Sequence, residues 1–308
     1  YKYFTNLYRK MKKIYSCPVC KNEVFNDLLT CKDFSVSKEV FKIVYCVPCG
    51  FTFTNPRPES RDLDNYYLSD NYISHTNKSR GLFEALYQIV RKYAVWQKLR
   101  LLKRFSVSKN HLDIGCGTGE FLNACKNAGF KTIGIEPSEI ARKQAVNNYN
   151  LSVSKNTNLN QYSKEAFNSI SMWHVLEHIP NLNETIKNLS RVLEKNGSLI
   201  IAVPNHKSWD AEYYKHYWAA WDVPIHLWHF SLDSIIPLFE NHEFKLVKTK
   251  PMFFDSFYVS ILSEEYKKGR KSFILGFFIG FISNLIGFLT KRGFSSTIYV
   301  FQKTNKSK

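Results

Sequence analysis

His111-Leu112-Asp113-Ile114-Gly115-Cys116-Gly117-Thr118-Gly119-Glu120-Phe121-Leu122 runs from an apolar strand pattern through alternating glycines into a helical pattern. Glycines at every second position let the backbone pass close beneath a flat, charged ligand, where a Cβ would collide. Twenty-one residues after Gly115, the strand-like Thr132-Ile133-Gly134-Ile135-Glu136 ends in an acid. A carboxylate there is placed to accept hydrogen bonds from both ribose hydroxyls of an adenosine. Dinucleotide loops carry G-x-G-x-x-G and aim a helix N-terminus at a pyrophosphate. The order here is D-x-G-x-G-x-G, with the third glycine one position earlier. Asp113 is placed to bind the amino-acid end of a cofactor or to hold the turn.

Strand and helix patterns alternate outward from this turn. His111–Cys116, Thr132–Glu136, Phe167–His174 and Ser198–Val203 read as strands with helical spacing between them. That alternation predicts an α/β fold with a parallel, doubly wound sheet. Upstream, apolar residues from Leu82 and Leu86 to Trp96 and Leu99 recur at helical spacing, which predicts an amphipathic helix over about 80–105. Ser-Val-Ser-Lys occurs at 35–38, 106–109 and 152–155 with irregular spacing, and reads as tolerated loop or strand-edge sequence.

Cys17-Pro18-Val19-Cys20 and Cys46-Val47-Pro48-Cys49-Gly50 form two C-x-x-C pairs separated by 25 residues. Each two-residue spacer lets both sulfurs of one turn face a single ion, and two such turns complete a tetrahedral site. Four protein ligands leave no open position, so the expected Zn2+ is structural. A thioredoxin-like redox pair is the competing reading, and it does not account for two pairs. No signal-peptide pattern opens the sequence, which points to a reducing cytoplasm, taken as bacterial. Met11 is a candidate natural start, which would make residues 1–10 foreign to the protein. The alternating segment Glu39–Tyr45 predicts a hairpin between the knuckles, and Asn55-Pro56-Arg57-Pro58 an extended linker.

At the glycine turn the sequence resembles the class I S-adenosylmethionine-dependent methyltransferases, and the resemblance extends through the fourth and fifth strands. It implies a Rossmann-like seven-stranded sheet and S-adenosylmethionine as cofactor. Gly115, Cys116, Gly117 and Gly119 then lie beside the methionine moiety with Asp113, and Glu136 binds the ribose. The acid that often meets the adenine after the third strand has no counterpart in Lys155-Asn156-Thr157-Asn158, where Asn158 is a weak substitute. The last strands, Phe244–Met252 and Thr297–Gln302, are expected to pair antiparallel, with a helix over Ser231–His242. The implied organisation is a zinc-ribbon module at 1–58, a helical linker at 59–108 and a methyltransferase domain at 109–308. Insertions at 206–230 and 253–294 would shape the acceptor site.

Trp173-His174-Val175-Leu176-Glu177-His178 follows the expected fourth strand, so Trp173 and His174 should line the cofactor pocket near the transferred methyl. His174-x-x-Glu177-His178 also matches a zinc-protease pattern, which requires a helix carrying both histidines. Some quinone-biosynthesis O-methyltransferases bind a divalent cation here through two acids and a histidine, whereas this chain has His174 in place of the first acid. Glu177 and His178 read equally as a hydrogen-bonding pair at a helix start. Further on, Asp222-Val223-Pro224-Ile225-His226-Leu227-Trp228-His229-Phe230-Ser231 resembles a D-x-P-R-H-L-x-H-F-S segment. That segment is found in type 23-like zinc-knuckle bacterial methyltransferases related to sugar and cell-surface glycan genes. Ile225 replaces its arginine. His226 is the candidate catalytic base, with His174 beside it as a catalytic candidate. A buried, merely hydrogen-bonded histidine is the alternative for His226.

The net charge of +17 invites an RNA partner, but Lys and Arg are scattered, as on a solvated basic surface. The resemblance implies a small molecule, sugar or lipid-linked glycan as the acceptor. A zinc-knuckle RNA methyltransferase and a non-catalytic cofactor-binding scaffold are the alternatives. Residues 273–290 are eighteen residues without a charge, flanked by Lys267, Lys268, Arg270 and Lys271 on one side and Lys291 and Arg292 on the other. Gly276, Gly280, Asn284 and Gly287 make a small-residue stripe suited to close packing. The phenylalanines around it need cover from a lid, a homodimer partner or an in-plane membrane contact at the inner face of the membrane.

Overall fold

The computed structural model describes residues 11–67 and 82–304, with backbone alone at 82–87. Expectations for residues 1–10, for 68–81 and for the Leu82 and Leu86 side chains lie outside the described residues. The strands are β1 (Met11–Lys12), β2 (Phe25–Lys32), β3 (Val40–Cys46), β4 (Thr52–Thr54), β5 (Arg57–Pro58), β6 (Asn110–Ile114), β7 (Lys131–Ile135), β8 (Val153–Ser154), β9 (Phe167–Trp173), β10 (Leu193–Pro204), β11 (Trp228–His229), β12 (Phe244–Pro251) and β13 (Ser296–Lys303). The α-helices are α1 (Leu82–Phe105), α2 (Glu120–Asn127), α3 (Glu139–Tyr149), α4 (Leu182–Val192), α5 (Trp209–Tyr214), α6 (Leu232–Glu240), α7 (Phe253–Lys268) and α8 (Phe273–Leu289).

Contacts divide the chain into two compact units, each assembled from separated stretches. One takes Ser79–Val203, Ile235–Phe254 and Ser296–Lys308. Its seven-stranded sheet has the order β12-β13-β10-β9-β6-β7-β8. The strands from β10 through β8 pair in parallel, and β12 runs antiparallel to β13, as the sequence predicts. Parallel strands covered on both faces need apolar side chains throughout, and Leu199 to Val203 are all fully buried. α1 is part of this unit: Leu101 and Leu102 pack in one cluster with Phe121, Ile200 and Val300. Because β7 and β8 lie on one side of β6 and β9 on the other, the order reverses between β6 and β9. Ligands of such sheets sit in the crevice outside the carboxyl ends at that reversal.

The other unit takes Tyr1–Lys78, Pro204–Ser234 and Asp255–Ser295. β2 and β3 form the expected hairpin. β4 extends it, and β11, from the stretch read as an insertion, completes a four-stranded sheet. Asn55-Pro56-Arg57-Pro58 is not the predicted linker: β5 pairs antiparallel with β1, and the Asn55 side chain bonds both the N–H and the carbonyl of Ile14. Arg57 is buried with its guanidinium 4.1 Å from the Trp228 ring centroid, a cation–π contact that fixes the segment. Beneath the sheet, Tyr214, Trp218 and Trp221 share an apolar cluster with Phe41, Ile43 and Ile279. The fully buried Asp210 carboxylate accepts from Trp218 Nε1, Ser283 Oγ and Ser295 Oγ, each at 2.7 Å. The small-residue stripe of α8 is buried as its spacing predicts. A Cβ on Gly276 would stand 2.6 Å from Ile261 Cα, and one on Gly280 2.8 Å from Phe257 Cα, so the backbones of α7 and α8 touch. Among the described residues no helix is long and apolar enough to cross a membrane.

Candidate functional site

At the strand-order reversal the three glycines of the turn do different work. All have positive φ, +70° at Gly115, +55° at Gly117 and +88° at Gly119. A Cβ on Gly115 would meet Val175 Cγ2 at 2.3 Å, and one on Gly119 would meet Leu151 and Ala145 below 3 Å. Gly117 faces open space, with nothing within 4 Å. Its N–H donates to Glu136 Oε2 at 2.9 Å, while Ser138 N–H donates to Oε1 at 2.8 Å. The carboxylate is thus fixed just past β7, beside the uncovered glycine, and each oxygen keeps lone-pair capacity for a ligand hydroxyl. A bare glycine beside a fixed acid fits the ribose end of an adenosine cofactor.

Beneath the turn lies a buried polar chain between β6 and β9. Ser169 Oγ, His111 Nδ1, His111 Nε2 and Ser171 Oγ follow one another at 2.9 and 3.1 Å, and Ser171 Oγ donates to Asp113. Burial lowers the His111 pKa to about 3, which keeps the ring neutral, as one donating and one accepting nitrogen require. Burial pushes the Asp113 carboxyl up to about 7, the Ser171 hydrogen bond opposing. The Asp113 carboxyl is thus engaged across the sheet, from β6 to Ser171 on β9. Cys116 is buried with its Sγ in the position that a Cβ on Gly134 would approach to 2.7 Å, so its thiol packs between strand and helix. Asn158 caps the 3-10 turn Leu159–Gln161 by accepting from Asn160 N–H.

Trp173 ends β9 with its ring 5.3 Å from Phe121 and under Lys98 Nζ at 4.4 Å. His174 takes φ +56°, and its N–H donates to the Ala202 carbonyl, turning the chain at the strand's carboxyl end. Its Nδ1 lies 3.3 Å from Oε1 of the fully buried Glu177. Leu176–His178 is a 3-10 turn and no α-helix carries the two histidines, so the protease pattern lacks its scaffold. Sequence spacing gives no sign of Arg91, on α1, which ion-pairs with Glu120 and reaches Thr118 Oγ1 beside the glycine turn.

In the other unit, His226 Nδ1 is 2.9 Å from the Ala220 carbonyl. A carbonyl only accepts, so Nδ1 carries the proton and Nε2 is the basic nitrogen, 4.0 Å from Asp222 Oδ2. Thr54 Oγ1 donates to the His226 carbonyl and accepts from His229 Nε2 at 3.0 Å. Ile225, in place of the pattern's arginine, is buried in the aromatic cluster. His206, which the sequence did not single out, has its ring 6.0 Å from Trp221, and burial lowers its pKa to about 4.

Cys17, Cys20, Cys46 and Cys49 bring their sulfurs within 4.8 Å of one another. The Cys17–Cys49 and Cys20–Cys46 separations are 3.5 and 3.4 Å. Tetrahedral zinc thiolates, with Zn–S near 2.3 Å, place their sulfurs roughly 3.8 Å apart, so the donor set and spacing fit one cation. Gly50, at φ +70°, closes the second knuckle by donating to the Cys46 carbonyl.

An O-methyltransferase of ubiquinone biosynthesis from Haemophilus ducreyi is 31% identical over 108 residues, which cover 32% of this chain and 46% of that protein. An uncharacterized protein of Methanocaldococcus jannaschii is 29% identical over 144 residues, 44% of this chain and 56% of its own. The chain spans about half the length of the curated relatives it matches. The structure of a candidate sarcosine dimethylglycine methyltransferase from Galdieria sulphuraria superposes with a TM-score of 0.51 at 12% identity, covering 70% of this chain and 86% of that one, and shares the fold. Residues 87–249, more than half of the sequence and the stretch from within α1 through most of β12, match the family described as Methyltransferase domain, and the chain belongs to that family.

Proposed function

We propose that this chain transfers the methyl group of S-adenosylmethionine to a small-molecule acceptor, and that the acceptor is a hydroxyl of a sugar or lipid-linked glycan. The observation that carries the proposal is the Glu136 carboxylate held by Gly117 N–H and Ser138 N–H beside a glycine with open space above it. When bound there, S-adenosylmethionine supplies a sulfonium-activated methyl, whose C–S electron pair leaves with the sulfur. Glu136 accepts from the ribose hydroxyls, and Gly117, bare toward open space, lets the backbone pass under the cofactor. Trp173 and His174, at the carboxyl end of β9, bound the pocket. Methylating a hydroxyl requires its proton to leave as the O–C bond forms, and His226 Nε2 takes it. Deprotonation by a placed base contributes about 10²–10⁴ in rate.

The glycan assignment rests on the Asp222–Ser231 segment and its likeness to glycan-associated methyltransferases. The four cysteines would hold a structural Zn2+ in a reducing cytoplasm, where thiolates persist. The test supplies methyl-labelled S-adenosylmethionine to the protein with a cell extract, then separates RNA, lipid and small polar fractions. Label is expected in the lipid or small polar fraction, with His226→Gln lowering incorporation by about 10²-fold or more. Label confined to RNA would overturn the acceptor class, and no label in any fraction, with cofactor bound, would overturn the activity.

A further inference from the structure

The large side chains on one side of α8 are exposed, although Phe277 also stacks on Phe257 and Phe288 meets the Phe294 ring edge-on. Phe273, Ile274, Phe277, Phe278, Phe281 and Phe288 are exposed, from 53% at Phe273 and Phe277 to 76% at Ile274. At 100° per residue these and Leu285 and Leu289 sweep roughly half of the helix circumference, along a length of about 25 Å. The opposite side is spent on Gly276, Gly280, Ser283 and Gly287, buried against the rest of its own unit. A contiguous apolar face of this size on a folded protein marks a contact with something apolar.

The charges at its ends select the occupant. Lys267, Lys268, Arg270 and Lys271 precede α8, Lys291 and Arg292 follow it, and all six are exposed. Lys268 pairs with Glu264, Lys271 with Glu265 and Arg292 with Glu212, which leaves positive charge in excess at both ends. A second copy docked through this face would set a basic end against a basic end in either helix orientation, and like charges across an interface oppose docking. An anionic bilayer satisfies both parts. Its acyl boundary takes the phenylalanines of an in-plane helix, while its headgroups meet the Lys and Arg that reach up from either end.

We propose that α8 docks the protein, lying flat, on the surface of an anionic phospholipid membrane. The full chain is sedimented with vesicles of phosphatidylcholine alone and of equal parts phosphatidylcholine and phosphatidylglycerol. Binding to the mixed vesicles is expected to exceed binding to phosphatidylcholine by about tenfold or more and to fall as salt rises. Phe277→Asp with Phe281→Asp should reduce it at least about tenfold while the thermal unfolding midpoint is retained. Should that variant fail to fold, Arg270→Glu with Lys291→Glu, which alters only exposed charge, is expected to lose the preference for anionic vesicles. Parent protein remaining in the supernatant with both vesicle types would overturn the proposal. So would a dimer, seen by light scattering, that the Phe277 and Phe281 substitutions dissociate.

Discussion

At the scale of single residues, Gly115 and Gly117 look equivalent in sequence and are opposite in structure. Gly115 is closed in by Val175, whereas Gly117 is closed in by nothing. Both adopt a left-handed backbone, for which a side chain costs about 1–2 kcal/mol. Gly115→Ala adds a collision in the fold to that strain, while Gly117→Val adds its bulk only where a cofactor would lie. In denaturant unfolding, Gly115→Ala is expected to lose more stability than Gly117→Val. In cofactor titration the Gly117 variant should bind at least about tenfold more weakly than its stability loss alone would produce. Equal effects of both substitutions on stability and on binding would contradict this division. Spacing placed Glu136 at the end of a strand, and the structure adds that its carboxylate accepts from Gly117 N–H and Ser138 N–H. The direction of Cys116 was not legible, since a thiol in a glycine turn suits a ligand and a core equally. Asp113 shows the same limit: spacing placed it at the turn, but only the Ser171 hydroxyl reveals that its carboxyl is engaged inward.

At the scale of elements, periodic segments show as elements and short ones do not, although α1 leaves Ile89, Tyr93 and Trp96 of its expected apolar face exposed. The parallel strands and the buried stripe of α8 follow from spacing that repeats over many residues, and the β12–β13 pair is the one that the resemblance implies. β5 and β11 are two residues each, too short to show any period. Asn55–Pro58 therefore reads as a linker, although Arg57 is held on Trp228 from far along the chain. The cysteine knuckles belong to this scale, because a ligand set is a property of two turns and the hairpin between them. The protein as purified is expected to carry one zinc per chain by metal analysis. Cys17→Ser or Cys46→Ser should release it and unfold the β2–β3 hairpin, given that structural zinc contributes about 10 kcal/mol or more to small modules. Protein purified under reducing conditions with no bound metal and an ordered hairpin would contradict the assignment.

At the scale of the whole molecule, the sequence order hides the division into units. Both are discontinuous, and the stretches 204–234 and 255–295 belong with the cysteine-bearing sheet even though β10 before them and β13 after them belong to the seven-stranded one. A reading that moves along the chain assigns those stretches to the domain they interrupt. β11 pairing with β4, Arg57 on the Trp228 ring, and the cluster that joins Phe41 and Ile43 to Trp218 and Ile279 place them otherwise. The cofactor side escapes this difficulty, since the glycine turn, Glu136 and the β9 terminus all come from one continuous stretch of one unit. Calorimetric titration of S-adenosylmethionine into the intact protein and into Glu136→Gln therefore bears most directly on function. The protein is expected to bind one equivalent per chain, and the substitution to weaken binding by about 1.5–3 kcal/mol, the scale of a hydrogen bond to a charged group. Absence of binding to the parent protein, or the same affinity in both, would contradict the assignment of this site.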